Sequence, residues 1–212
     1  EQPDLIGATI DLALLRGLSG DHAAQATAKQ TLLGLMEPPR SGPEPCGPSE
    51  RARATLLLAE LTLASDPMAR AEARALLHKA QELVPTGDLL LLEEVARAQV
   101  GIGDNATAAT LQKQVLQRLP DRRRSRLLLA QALLATGLGT EADSILAPLT
   151  SGPTMRDAEA TVLKGQALLL QSDTLAAQKL TRLLLANPGL PAAVRYDTQL
   201  LSAQVFLTLQ EP

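Results

Sequence analysis

Aromatic side chains are nearly missing from this chain. Trp does not occur, and Tyr196 and Phe206 are the only aromatics among 212 residues. Strands favour aromatic and β-branched residues, so a sheet-built fold is disfavoured. The same scarcity argues against sites that stack sugar rings or nucleobases on aromatic faces. Cysteine is reduced to Cys46, which excludes an intrachain disulfide and a Cys-based structural zinc site. One thiol fits a reducing or an oxidising compartment equally. A basic excess is missing too: 20 Lys and Arg stand against 23 Asp and Glu, whereas general nucleic-acid binding needs the opposite balance. No stretch approaches the roughly 20 apolar residues that span a bilayer. The leucine runs 89–92, 127–129 and 168–170 are broken by charges within a few residues, so no membrane insertion is expected. The first residue is Glu1, not Met, and a fragment or processed form is expected.

What the chain has is Leu (45) and Ala (34), both strong helix formers. Composition therefore points to an all-α protein. Arg (15) outnumbers Lys (5), a bias in keeping with a GC-rich bacterial genome. Prolines recur at Pro85, Pro120, Pro153 and Pro188, spaced by 35, 33 and 35 residues. Before the first and between the rest lie short turn signals: Asp66-Pro67, Gly103-Asp104, Gly137-Leu138-Gly139 and Ser172-Asp173. Each unit reads as helix, tight turn, helix, proline stop. Small residues keep the same register. Ala59 and Ala71 lie 12 apart, as do Ala96 and Ala108, Ala130 and Ala142, and Gly165 and Ala177. Ala98, Ala132 and Ala167 follow two positions after the first of each pair. Small side chains at matched places let two helix backbones approach closely.

In these features the chain resembles a tetratricopeptide-repeat (TPR) array, whose repeat is about 34 residues. The third unit carries the likeness best, with Ala96, Ala98, Gly103-Asp104, Ala108 and Pro120 at the family's small-residue, turn and proline positions. The fifth follows with Gly165, Ala167, Asp173 and Ala177, and with Pro188 one residue early. The likeness covers about residues 54–188. It departs at the family's Trp and Tyr positions, which hold Leu, Gln or Thr here. The implied fold class is all-α, an α-solenoid of about five antiparallel helix pairs with a C-terminal capping helix. The expected helices are 4–18 and 22–36, 50–64 and 68–84, 88–101 and 105–119, 122–136 and 140–149, 155–171 and 174–186, and finally 191–209. Residues 1–36 form an N-terminal pair and residues 50–212 the repeats. Residues 37–49 hold five prolines and two glycines, which reads as an extended inter-repeat loop and a candidate hinge.

Enzymatic signals are weak. Gly101-Ile102-Gly103-Asp104-Asn105-Ala106 and Gly137-Leu138-Gly139-Thr140-Glu141-Ala142 both match G-x-G-x-x-A, but a dinucleotide site requires a preceding strand and helices precede both. They read as repeat turns. His22 and His78 are isolated from other metal-ligating residues at motif spacing. Cys46 sits in the Pro-rich loop, with Arg40 and Arg51 its nearest basic residues, and reads as an incidental exposed thiol. Asn105-Ala106-Thr107 is a glycosylation sequon, relevant only in a secreted eukaryotic protein. No nucleophile elbow, P-loop or H-E-x-x-H occurs. The chain is expected to be a non-enzyme with no cofactor.

Arg122, Arg123, Arg124 and Arg126 open a predicted helix, where the macrodipole disfavours cations. Two readings stand side by side: a partner site for carboxylates or phosphates, or a solvated face with Asp121 as N-cap. The TPR resemblance implies binding of an extended peptide, a helix or another protein on the surface lined by the first helix of each pair. Glu60, Glu93, Glu94, Arg97, Arg124, Gln131, Lys164 and Gln166 are the polar candidates there. The family's carboxylate clamp, built from Lys, Asn and Arg on first helices, is missing, because Asn105 and Asn187 are the only asparagines.

The Ala/Leu-rich style resembles TPR regions of bacterial envelope proteins, including periplasmic scaffolds of cellulose and related exopolysaccharide export. That implies a periplasmic protein–protein interaction scaffold organising an envelope or secretion assembly. A cytoplasmic TPR adaptor that binds a partner peptide is the alternative. Self-association is expected through helix 191–209, where Leu200, Leu201, Val205 and Leu209 recur with helical spacing.

Overall fold

The computed structural model describes residues 3–19, 21–36, 46–151 and 157–210. Among the described residues it contains eleven α-helices and no strand. They are α1 (Pro3–Leu18), α2 (His22–Met36), α3 (Pro48–Ser65), α4 (Arg70–Leu83), α5 (Leu89–Ile102), α6 (Asn105–Arg118), α7 (Arg123–Ala135), α8 (Gly139–Thr150), α9 (Ala158–Leu170), α10 (Thr174–Leu185) and α11 (Ala192–Gln210). Each expected helix is present, with its ends within a few residues of the sequence reading.

The start signals are local. Asp88, Asp157 and Asp173 N-cap α5, α9 and α10, accepting hydrogen bonds from the N–H groups of Leu91, Ala160 and Ala176, each at 3.1 Å. Such a cap satisfies one of the first-turn donors that no helix can satisfy internally. The arginine run behaves otherwise. Arg122, not Asp121, is the N-cap of α7, and its side chain makes no capping bond. Helix α3 begins at Pro48, inside the segment expected to be loop. Proline is tolerated in a first turn because its missing N–H would be unpaired there anyway. Residues 37–45 of that segment, and so the expected hinge, lie outside the described residues.

Turns between consecutive helices repeat a backbone conformation. Gly103 (φ 85°), Gly137 (φ 79°) and Ser172 (φ 62°) all adopt the left-handed region. They lie 34 and 35 residues apart, so one turn is used three times. Glycine does this without steric cost; serine does not.

The chain divides into two compact units, Glu1–Asp104 and Asn105–Pro212. The division falls in the turn between α5 and α6. In the first unit the α1/α2 hairpin packs on α3, and α3 and α4 pack on α5. Its core joins Ile10, Ala13, Ala28, Leu32, Leu57, Leu58 and Leu61. In the second unit α6 packs on α7, the α7/α8 and α9/α10 hairpins follow, and α11 closes on both α9 and α10. First helices also touch one another, α7 on α9 and α9 on α11. Within each unit, consecutive helices stack as in an α-solenoid.

The small-residue register survives at Ala59, Ala96, Ala108, Ala130, Ala142 and Ala177, all fully buried. Gly165 and Gly139, in the second unit, mark contacts too close for a side chain. A Cβ on Gly165 would lie 2.4 Å from a Leu201 methyl, and one on Gly139 would lie 2.8 Å from the Ala167 carbonyl oxygen. Ala71 is the exception. It is exposed, and Ala73, Leu77 and Ala80 carry the buried face of α4 instead. Cys46 also departs from expectation: it is 2% exposed rather than free in solvent. Burial pushes its thiol pKa up, Glu50 adds to the shift, and Arg51 opposes it. The result is a thiol held in its unreactive form.

Candidate partner-binding groove

Within each unit, the residue that follows the small position recurs on successive first helices. In the first unit these are Glu60 on α3, after Ala59, and Arg97 on α5, after Ala96. In the second they are Gln131 on α7, after Ala130, Gln166 on α9, after Gly165, and Gln204 on α11, after Ala203. On α3, α5, α7 and α9 the small residue is buried and its successor turns toward the open face, whereas on α11 both Ala203 and Gln204 are exposed.

In the second unit the three glutamines line one concavity of about 470 Å³, together with Leu134, Ala135, Leu169 and Leu170. Three parallel first helices thus present a row of primary amides over an aliphatic floor. Each amide offers two donors and one carbonyl acceptor. Packed helices lie about 8–10 Å apart, and an extended chain advances about 3.3 Å per residue. A row of glutamines on neighbouring helices therefore matches every third residue of an extended segment laid across them. In the first unit the corresponding sequence positions hold an internal ion pair. Arg97 bonds Glu60 and, at 3.0 Å, Glu94. Burial opposes the charge on Arg97, but the hydrogen bonds to Glu94 and Glu60 prevail and raise its pKa.

The sequence-derived candidates separate accordingly. Gln131 and Gln166 come together in the groove. Lys164 lies on α9 as expected but pairs with Asp143 of α8 at 3.4 Å. Glu94 and Arg97 belong to the ion-paired ladder of the first unit. Glu93 corrects the reading: it is 1% exposed and cannot meet a partner across an open face. Helix α5 packs against both α3 and α4, so its buried arc is wide enough to take in a residue beside an exposed one.

Within the arginine run, Arg123 finds carboxylates of the chain itself. Arg123 donates to both oxygens of Asp157, one at 2.9 Å, and to Glu159 at 2.9 Å. These bonds tie the start of α7 to the start of α9. Hydrogen bonding to Asp157 is the main cause that raises the Arg123 pKa, with burial acting against it. Burial alone would raise the pKa of Asp157; the bonds from Arg123 and the Ala160 N–H overcome it and hold the carboxyl below its usual range. Arg126 donates to the Ile145 carbonyl at 3.3 Å. Arg122, Arg123 and Arg124, with Arg118, line a separate concavity of about 550 Å³ at the α6–α7 connection.

Gln204 was missed in the sequence. The repeat steps by 35 residues from Gln131 to Gln166 but by 38 to Gln204, so the terminal helix falls out of register. A small residue precedes the glutamine at 130–131, 165–166 and 203–204, but the same pair occurs at 98–99 and 177–178, so it does not single out Gln204.

No family model matches the chain, nor does any curated protein or solved structure. Among the described residues no helix is long and apolar enough to cross a membrane.

Proposed function

We propose that the chain is a non-enzymatic protein–protein interaction scaffold of TPR kind, and that its second unit holds an extended segment of a protein partner in the groove across α7, α9 and α11. The observation that carries this reading is the row Gln131, Gln166 and Gln204 over an aliphatic floor. Side-chain amides pair with main-chain amides of any sequence, so the row recognises an extended backbone, while Leu134, Leu169 and Leu170 select apolar side chains on one edge. The spacing of turns, small residues and prolines supports the TPR assignment. The Ala/Leu-rich, aromatic-poor style favours a bacterial envelope or secretion assembly, exopolysaccharide export included, as the setting, and a periplasmic location. A cytoplasmic adaptor with the same groove is the alternative reading.

The test is selection of unbiased peptides from a display library, followed by titration calorimetry. Selected peptides are expected to lose about fivefold in affinity for each of Gln131→Ala and Gln166→Ala, since one hydrogen bond contributes about 1 kcal/mol net. Peptides whose affinity is the same for both variants and the parent chain would sink the reading.

A further inference from the structure

An extended segment bonded to the glutamine row has two sides. In an extended chain the N–H and C=O groups lie in one plane, and the side chains stand across it, successive ones on opposite sides. A backbone bonded down to the row therefore sends its side chains along the helix axes, alternately toward the two edges of the groove. The edge toward the helix C-termini is apolar, with Leu134, Leu169 and Leu170.

The other edge is charged. Two turns before each glutamine, on the same face of its helix, stand Arg124 on α7, Glu159 on α9 and Asp197 on α11. All three are exposed. Glu159 is open although α11 packs on α9, so the row belongs to the open face of the stack. Helix α11 turns Leu201 and Val205, expected from the sequence to mediate self-association, into the core of the unit and leaves Asp197 and Gln204 outside it. Seven residues of helix rise about 10.5 Å, so only a long side chain of the bound segment crosses from the glutamines to this row.

The sign of the row is set by position. It is cationic over α7 and anionic over α9 and α11. Glu159 accepts a bond from Arg123 at 2.9 Å, yet its side chain stays 47% exposed. Asp197 makes no hydrogen bond or ion pair with its side chain among the described residues. Other bases of these two helices are engaged elsewhere: Lys164 with Asp143 at 3.4 Å, and Arg195 with the Asn187 carbonyl at 2.9 Å.

We propose that the segment held in this groove is apolar on one side and basic on the other, with Lys or Arg at alternate positions reaching Glu159 and Asp197. This rests on the reading of the glutamine row as a site for an extended backbone. Lysine and arginine are the side chains that combine the required length, an apolar stem and a terminal positive charge.

Three blocked synthetic peptides of about eight residues test this, a length that crosses three helices packed 8–10 Å apart. Each alternates leucine with one polar residue: lysine, glutamine or glutamate. Calorimetric titration at low salt is expected to give the lysine peptide about threefold to fivefold tighter binding than the glutamine peptide, with the glutamate peptide weakest. Asp197→Asn is expected to remove most of the lysine advantage, and about 0.5 M salt to narrow it. Glu72→Gln removes the same charge from exposed α4 in the first unit and is expected to leave the advantage intact, which separates a local contact from general attraction to an acidic chain. Gln166→Ala is expected to weaken all three peptides alike. Equal affinities for the lysine and glutamine peptides, or an advantage that survives Asp197→Asn, overturn the proposal; a loss on Gln166→Ala in the same titrations would still uphold the glutamine row. Peptides indifferent to Gln166→Ala would strike the row and this inference together.

Discussion

Ser172 adopts the left-handed backbone conformation that glycine adopts at Gly103 and Gly137. Its φ of 62° places Cβ against the following carbonyl, at about 1–2 kcal/mol for a non-glycine residue. Ser172→Gly removes that strain but frees the unfolded chain, which returns part of the gain. The expected outcome is a net stabilisation of about 0.5–1 kcal/mol, read from the urea midpoint at unchanged slope. A loss of stability would mean that the serine hydroxyl holds the turn. The turn itself was legible in the sequence, since Ser172-Asp173 falls at the interval of Gly103-Asp104. Its left-handed geometry was not, because serine gives no sign of it. The burial of Glu93 was equally hidden. It adjoins Glu94, and only the packing of α5 on two neighbours separates the buried residue from the half-exposed one.

Helices were the most legible level. Aspartate caps, glycine turns and regular prolines bracket them, and each signal acts through local backbone chemistry. What holds one first helix to the next was less legible, because it depends on pairs about 35 residues apart. Arg123 illustrates this: an arginine at a helix start looks misplaced until Asp157 and Glu159 of the next first helix are seen beside it. Asp157→Asn isolates that bond, because asparagine keeps the N-cap to Ala160 and loses the charge. The folded pKa of Asp157 is lowered. Its contribution is therefore complete above the ordinary carboxylate value near 4 and is lost as pH falls through the lowered folded value. At pH 7 the substitution is expected to cost about 1 kcal/mol, discounted for the half-exposed arginine. The gap between parent and variant should close as the pH is brought down past that lowered value. A gap that is constant with pH would mean that the bond to Arg123 contributes nothing.

At the scale of the molecule, one surface position is used in two ways. Counted as the residue after each small one, it holds Glu60 and Arg97, which satisfy each other, and then Gln131, Gln166 and Gln204, which face a concavity. Charges that neutralise each other internally leave little for a partner, whereas a row of uncharged amides keeps donors and acceptors available at every step. Two of the three glutamines were legible as polar residues on first helices. The third became visible only when the structure fixed the register of α11. The most direct measurement is methyl NMR of the leucine-labelled chain during addition of a selected peptide. Peptide binding at the glutamine row requires shifts at Leu134, Leu169 and Leu170, on its floor. Shifts at Leu119, beside the arginine-lined concavity, with those three leucines silent, would contradict it.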